Sequence, residues 1–315
     1  MAARDAGLST PSPARHGYLL ERVVAGAAAE SEIVGPRWRL ILRARCLVVT
    51  VLALTVPWFA SAQPDGQRVP ILVYHRFGVT VADGMTVRSS TFEHQLQRLR
   101  EQGFTVIPLR WLIAWRSGAR AALPVKSIVI TADDGHVSVY RDMLPLVRRY
   151  NIPVTLFIYP SAVSHASYAM TWQQLQELQR SGLFDIQSHT YWHPNFKRER
   201  RNLAPAAYLA FVRKQLVQSK SVLEQHMGHR ITALAWPFGL YDEITVAQAQ
   251  AAGYEAAFTI ARKVATRNDP AMTVPRFLMV EPPNARWFDQ ILLAAQAPVG
   301  PRHAAPRPLA SATAP

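Results

Sequence analysis

An α/β fold built on a parallel sheet is what this sequence predicts, and three observations lead there. Short apolar runs alternate with helical patterns from Pro70 to about Leu293, which is the order of βαβ units. Seven or eight such units in about 225 residues suit a (β/α) barrel, near the ~250 residues typical of that fold, with an open doubly wound sheet as the competing architecture. Two of the runs end in clusters of carboxylates and imidazoles, and the C-terminal ends of parallel strands are where such folds gather chemistry.

Taken in order, Val69 to Tyr74 reads as a strand ending in His75-Arg76. Phe92, Leu96, Leu99 and Phe104 recur at helical spacing, with Ser90 or Thr91 as cap and Gly103 as stop. A strand over Phe104–Ile107 and a short helix over Leu109–Trp115 come next, then the strand Ile128-Val129-Ile130-Thr131-Ala132 leading into Asp133-Asp134-Gly135. Val139–Tyr150 is read as one helix, Pro153–Tyr159 as a strand, and Trp172–Arg180 as a helix closed by Ser181-Gly182. The run Phe184–Ser188 carries His189-Thr190-Tyr191-Trp192-His193 at its end. A long helix over Ala206–Met227 stops at Gly228, and a strand over Thr232–Trp236 ends at Pro237-Phe238-Gly239. A helix over Glu243–Ala252 and strands at Ala256–Ile260 and Val274–Val280 complete the series.

The ends of the chain read differently. Residues 1–62 form an N-terminal extension whose basic stretch Arg37–Arg45, apolar segment Cys46–Phe59 and Ala60-Ser61-Ala62 have the three parts of a secretory signal peptide, cleaved after Ala62. The apolar segment is shorter than the ~20 residues of a spanning helix and is interrupted by Pro57, which argues against a membrane anchor. The only cysteine, Cys46, lies in that segment, so the exported chain would use no disulfide. Residues 63–294 are left as one catalytic domain, and 295–315, dominated by Ala and Pro, as a disordered tail. Without residues 1–62 the chain keeps 28 basic against 17 acidic residues, a formal charge of +11. That balance suits the polyanionic surroundings of a cell envelope, periplasmic or extracellular. Nucleic acid is not indicated, because the arginines are scattered and the one dense cluster, Lys197–Arg201, reads as a solvated loop.

One carboxylate and two imidazoles make a divalent-metal site with an open position, and a second carboxylate beside it can serve as a base. Each signal alone has an ordinary explanation. Asp-Gly is a common turn dipeptide, and histidines four residues apart can follow a helix face. Together, both at strand ends of one parallel sheet, they point to a metal-dependent hydrolase. A carboxylate with two imidazoles accepts zinc, cobalt or nickel.

Thr131-Ala132-Asp133-Asp134-Gly135 resembles the T-F-D-D-G motif of the polysaccharide deacetylases, carbohydrate esterase family 4, and His189-Thr190-Tyr191-Trp192-His193 matches that family's H-[ST]-x-x-[HD] motif. Trp236-Pro237-Phe238-Gly239 is similar to its third motif, R-x-P-[YF], and the opening Pro70–His75 to its exported poly-N-acetylglucosamine deacetylase branch. The resemblance spans Pro70 to Val280. It implies a distorted (β/α) barrel that hydrolyses N-acetyl groups on an amino-sugar polymer. It also implies a divalent metal, most often Zn2+, on Asp134, His189 and His193, with Asp133 as general base. An O-acetyl ester or small amide as substrate, and a cationic glycan-binding module of low activity, are the competing readings.

The departing amine needs a proton. Many members of the family take it from a histidine near the end of the domain, but none occurs between His229 and His303 here, so His75 is the candidate acid. Ala132 replaces the usual Phe, and Ala235 stands where the third motif's arginine would orient the base. Arg276, in Val274-Pro275-Arg276-Phe277, is the candidate replacement. Tyr191 and Trp236, with Pro237 and Phe238 beside them, are expected to meet sugar rings, since aromatic faces beside polar groups suit pyranoses. The resulting expectation is a monomer whose partner is an N-acetylated polysaccharide and whose membrane contact is limited to the export signal.

Overall fold

Strand side chains alternate between two faces, and in this chain the alternation decides which residues enter a barrel. The computed structural model describes residues 66–297 except 283 and 285. Its parallel strands are β1 (Ile71–Tyr74), β4 (Thr105–Val106), β5 (Ser127–Asp133), β6 (Val154–Ile158), β7 (Phe184–Ser188), β8 (Ala233–Ala235), β9 (Ala256–Phe258) and β10 (Phe277–Leu278). They pair in the order β10-β1-β5-β6-β7-β8-β9, with β4 beside β5. A parallel bridge between Phe258 and Val274 joins β9 to the segment entering β10, which closes the ring. This is the α/β barrel the sequence implies, in one domain.

Ile71, Val129, Phe157, Ala233, Ala235, Ala256 and Phe258 form the interior set. Leu72, Tyr74, Ile130, Ala132, Leu156, Ile158 and Leu234 face the helices instead. Asp133 has the parity of Val129 and Thr131, so the end of β5 delivers its carboxylate to the interior. Each Val, Leu, Ile or Phe side chain so buried contributes about 1.5–3 kcal/mol. The helices around the ring are α1 (Ser89–Glu101), α2 (Leu109–Arg116), α3 (Leu144–Tyr150), α4 (Trp172–Arg180), α5 (Phe196–Asn202), α6 (Pro205–Met227), α7 (Glu243–Ala251) and α8 (Arg286–Gln296). Helix α2 differs from the rest, packing Leu109, Leu112 and Trp115 onto the interior set.

Several expectations are corrected. The Lys197–Arg201 cluster is helix α5, not a loop: Asn195 Oδ1 accepts from Arg198 N–H at 3.0 Å and Phe196 is buried, so a cap and one anchor outweigh the charge run. Ser90 and Thr91 lie inside α1 rather than capping it, and Thr91 Oγ1 donates to Glu281 Oε1 at 2.8 Å. The helix expected over Val139–Tyr150 opens with a π turn at Val139–Met143 before α3, because Pro145 has no N–H to continue an α-helical ladder. Two short strands, β2 (Arg76–Gly78) and β3 (Thr86–Arg88), pair outside the barrel without having been expected. Helix α8 runs to Gln296, two residues into the segment read as tail. Residues 1–65, including Cys46 and the expected cleavage point, and 298–315 lie outside the described residues. No helix among the described residues is long and apolar enough to cross a membrane.

Candidate active site and metal centre

The backbone turns sharply where β5 and β7 end, and those turns aim the polar residues. Asp134 and Gly135 both have positive φ, 73° and 76°. Thr190 and His193 do as well, at 65° and 61°. Positive φ is uncommon for side-chain-bearing residues and most costly for β-branched ones such as Thr190, so these turns must be held by their surroundings. The holding contacts are present: His189 N–H donates to Ile158 O at 2.8 Å, Thr190 N–H to Ser188 Oγ at 3.3 Å, and His193 N–H to Thr190 Oγ1 at 3.2 Å.

The turns bring Asp134, His189 and His193 together, with one ligand atom from each within 4.8 Å of the others. Asp134 Oδ1 stands 3.5 Å from His189 Nε2 and 3.6 Å from His193 Nε2, and is itself buried without a hydrogen-bond partner. His189 Nδ1 lies 2.8 Å from Ala235 O. A carbonyl can only accept, so Nδ1 carries a proton, which leaves Nε2 as the atom that can offer a lone pair to a cation beside Asp134. An orphaned carboxylate oxygen facing two imidazole nitrogens fits a divalent cation, and this trio is a possible metal site.

Asp133 lies beside it in the barrel interior, its Oδ2 3.8 Å from His189 Nε2. Arg276 Nη1 and Nη2 donate to Asp133 Oδ1 and Oδ2 at 2.8 and 2.7 Å. The guanidinium is wholly buried, also donating to Thr259 O at 3.1 Å and Thr131 Oγ1 at 3.2 Å, and sits over the Phe157 ring. The arginine missing at Ala235 is thus supplied from the segment that closes the barrel.

Burial alone would raise the carboxyl of Asp133, but Arg276 and His189 outweigh it and hold it below its ordinary value. Asp134 is likewise held low against burial, by His189, His75 and His193. His189 is opposed by burial but raised by the two aspartates, whereas burial and the His189 charge push His193 down to about 4. His75 follows β1, and burial lowers its imidazole despite Asp133 and Asp134 nearby. Its Nδ1 is buried without a hydrogen-bond partner.

These groups line a cleft of about 460 Å³ together with Arg76, Met85, His136, Tyr159, Tyr168, Trp236, Phe238, Gly239, Ile260 and Leu278. Of the residues expected to meet sugar rings, Phe238 is 53% exposed and packs edge-on against His193 with centroids 4.6 Å apart. Its turn needs Gly239, where a Cβ would meet Ile260 Cγ1 at 2.6 Å. Trp236 is corrected. It is wholly buried, with its indole N–H donating to Met272 O at 2.8 Å, so it backs the cleft without offering a face to a sugar. Pro237 is buried and shapes the Phe238 turn. Tyr191 is not among the lining residues, and its carbonyl accepts from Ser161 N–H at 3.1 Å. Its neighbour Trp192, 40% exposed, lines an adjoining depression with Tyr159 and Tyr168 instead.

Sequence reasoning missed Tyr159, Tyr168 and His136. Tyr159 ends the β6 run and His136 follows the Asp-Asp-Gly turn, so the strand-end rule could have found both. Tyr168 sits in a connecting segment with no such signal.

Comparison with known proteins agrees with this geometry. The family model described as polysaccharide deacetylase matches residues 120–257. The poly-beta-1,6-N-acetyl-D-glucosamine N-deacetylase of Staphylococcus aureus is 24% identical over 198 residues, 62% of this chain and 68% of that protein. The solved structure of IcaB from Ammonifex degensii superposes with a TM-score of 0.64 at 26% identity, covering 74% of this chain and 98% of that one. Streptococcus pyogenes deacetylase PplD, solved in complex with acetate, shares the fold with a TM-score of 0.64 at 20% identity, covering 72% and 99%. Since the family match runs through both the Asp-Asp and the His-x-x-x-His motifs, it is to the polysaccharide deacetylases, a family of hydrolases, that residues 120–257 of this chain are similar.

Proposed function

We propose that this chain removes N-acetyl groups from an amino-sugar polymer, as a metal-dependent hydrolase acting outside the cytoplasm. The convergence of Asp134, His189 and His193 beside an arginine-clasped Asp133 carries the reading. A β-1,6-linked N-acetylglucosamine polymer is favoured among substrates, supported by the names of the relatives and by the IcaB structure. The catalytic domain spans 63–294 together with the last turn of α8, and the export signal precedes it.

Asp134, His189 and His193 would hold the metal, with zinc the best match to two imidazoles and one carboxylate and cobalt or nickel as substitutes. When bound, a divalent cation supplies Lewis acidity, lowering the pKa of water from ~15.7 towards ~7 and polarising an amide carbonyl. Asp133, ionised at neutral pH, receives a proton from the attacking water. Arg276 occupies one lone pair on each of its oxygens and leaves Oδ2 a second, on the oxygen 3.8 Å from His189 Nε2. His75, in its imidazolium form, delivers a proton to the departing amine, so that water and amide become acetate and a free amino sugar. Phe238, packed against His193, and the buried Trp236 contribute to the wall of the cleft.

The test is acetate release from N-acetylglucosamine oligomers by the metal-loaded chain. Release is expected to stop with a chelator and in Asp134→Ala. Equal rates for that variant and the parent would refute the reading. Parallel assays on acetyl-xylan separate N-acetyl from O-acetyl hydrolysis.

A further inference from the structure

His136 lines the cleft but is neither a member of the metal trio nor in contact with Arg276. Its hydrogen bonds fix where its proton lies. Phe77 N–H donates to Ser138 Oγ at 2.9 Å, which leaves the hydroxyl proton free to point elsewhere. His136 Nδ1 is 2.8 Å from that oxygen, and Ser138 N–H also donates to Nδ1, at 3.2 Å. An imidazole nitrogen that accepts from a backbone N–H must present its lone pair. Nδ1 is therefore bare, and the proton of the neutral ring is on Nε2. That atom has no hydrogen-bond partner among the described residues, on a ring only partly buried.

The surroundings keep the ring in this pose. His136 bridges Ala169, Val137 N–H donates to Tyr168 O at 2.7 Å, and Met170 N–H to Gly135 O at 2.9 Å. These bonds zip the turn after Asp134 to the segment carrying Tyr168. The Tyr168 ring lies nearly parallel to the imidazole, 10° between planes, and its hydroxyl meets Tyr159 OH at 2.7 Å. A bare donor on a ring locked at its other nitrogen is set up to meet an acceptor that arrives from the cleft. Leaving it unmet in a closed complex would cost free energy.

From this we infer that His136 Nε2–H is a substrate-positioning donor, which binds an acceptor oxygen of the glycan, a ring hydroxyl or the glycosidic oxygen, beside the Tyr168 face. The inference rests on the proposed deacetylase function and adds a contact on the wall of that cleft. It involves no proton transfer.

Two measurements test it. In 15N-histidine-labelled, zinc-loaded protein, long-range proton–nitrogen spectra should show His136 with a protonated Nε2 and a bare Nδ1. A proton on Nδ1, or rapid exchange between tautomers, overturns the inference whatever the enzyme does. In kinetics on N-acetylglucosamine oligomers, His136→Phe keeps a ring beside Tyr168 but removes the donor. KM should rise about fivefold to tenfold, the loss expected for one neutral hydrogen bond, with kcat changed less than twofold and zinc affinity unaltered. His136→Gln, which presents an amide N–H, should recover most of the loss. An active parent with the same KM as His136→Phe overturns the inference alone, whereas a parent that releases no acetate overturns the function beneath it as well.

Discussion

Arg276 grips both carboxylate oxygens of Asp133 across 143 residues of sequence, at 2.8 and 2.7 Å, with neither side chain reaching solvent. Two parallel charge-assisted bonds fix the carboxylate plane as well as its charge, which a lysine could not do. A buried pair adds little net stability, but removing one partner leaves the other unpaired in the interior, at a cost of about 3–5 kcal/mol.

Arg276→Met should therefore lower unfolding free energy by about 3–5 kcal/mol, as read by urea denaturation. Arg276→Lys should recover part of that stability but less of the activity, because one ammonium cannot hold both oxygens. Equal activity in Arg276→Lys and the parent would show that the clasp does not orient the base.

The two adjacent aspartates should separate experimentally. Asp133→Asn keeps the shape at the end of β5 and removes the base, so kcat should fall by about 10²–10⁴ while metal content is preserved. Asp134→Asn should instead lose metal affinity, seen as zinc released in equilibrium dialysis at concentrations where Asp133→Asn stays loaded. A reversal of these two phenotypes would exchange the assigned roles.

Much of the site was legible because it depends on local signals. Asp133, Asp134, His189 and His193 sit at the ends of apolar runs, and a parallel barrel gathers all such ends at one rim. Arg276 was legible only as a candidate, since nothing in Val274-Pro275-Arg276-Phe277 states that this segment closes the ring against β9. The aromatic residues were least legible. Trp236 and Tyr191 occupy positions where one step in strand or turn parity separates core from cleft, and for Tyr191 the left-handed turn at Thr190 decides that parity without marking the sequence. The basic run in α5 misled because its cap and its anchor, Asn195 and Phe196, are single residues beside five charged ones.

Helix α7 offers a stability test away from the cleft. Asp242 accepts from Thr245 N–H, Tyr208 OH and Arg200 Nη1, each at 2.8 Å, tying α5 and α6 to the start of α7. Burial raises its carboxyl, but these bonds outweigh it and hold it below the ordinary value. With the folded value lower than the unfolded one of ~3.9, the contribution is complete above that pH and is lost as pH falls through the folded value. Asp242→Ala should cost about 2 kcal/mol near neutrality, about half of it from the lost cap. The difference from the parent should stay level between about pH 7 and 5 and shrink below about pH 4. A difference that persists undiminished into acid would place the effect in packing rather than in the charged carboxylate.

His75 can be tested through the leaving group. If its imidazole protonates the departing amine, its removal should matter only when that group leaves poorly. An acetyl ester of a nitrophenol expels a stabilised phenolate and needs no proton, whereas an amino sugar expelled from an amide does. His75→Ala should then lose about 10²–10⁴ in kcat on N-acetylglucosamine oligomers yet stay within about tenfold of the parent on the nitrophenyl ester. Asp133→Asn should be impaired on both substrates, because each requires an activated water. Equal losses for His75→Ala on amide and ester would remove it from the acid role, and its unpartnered Nδ1 would then need another account.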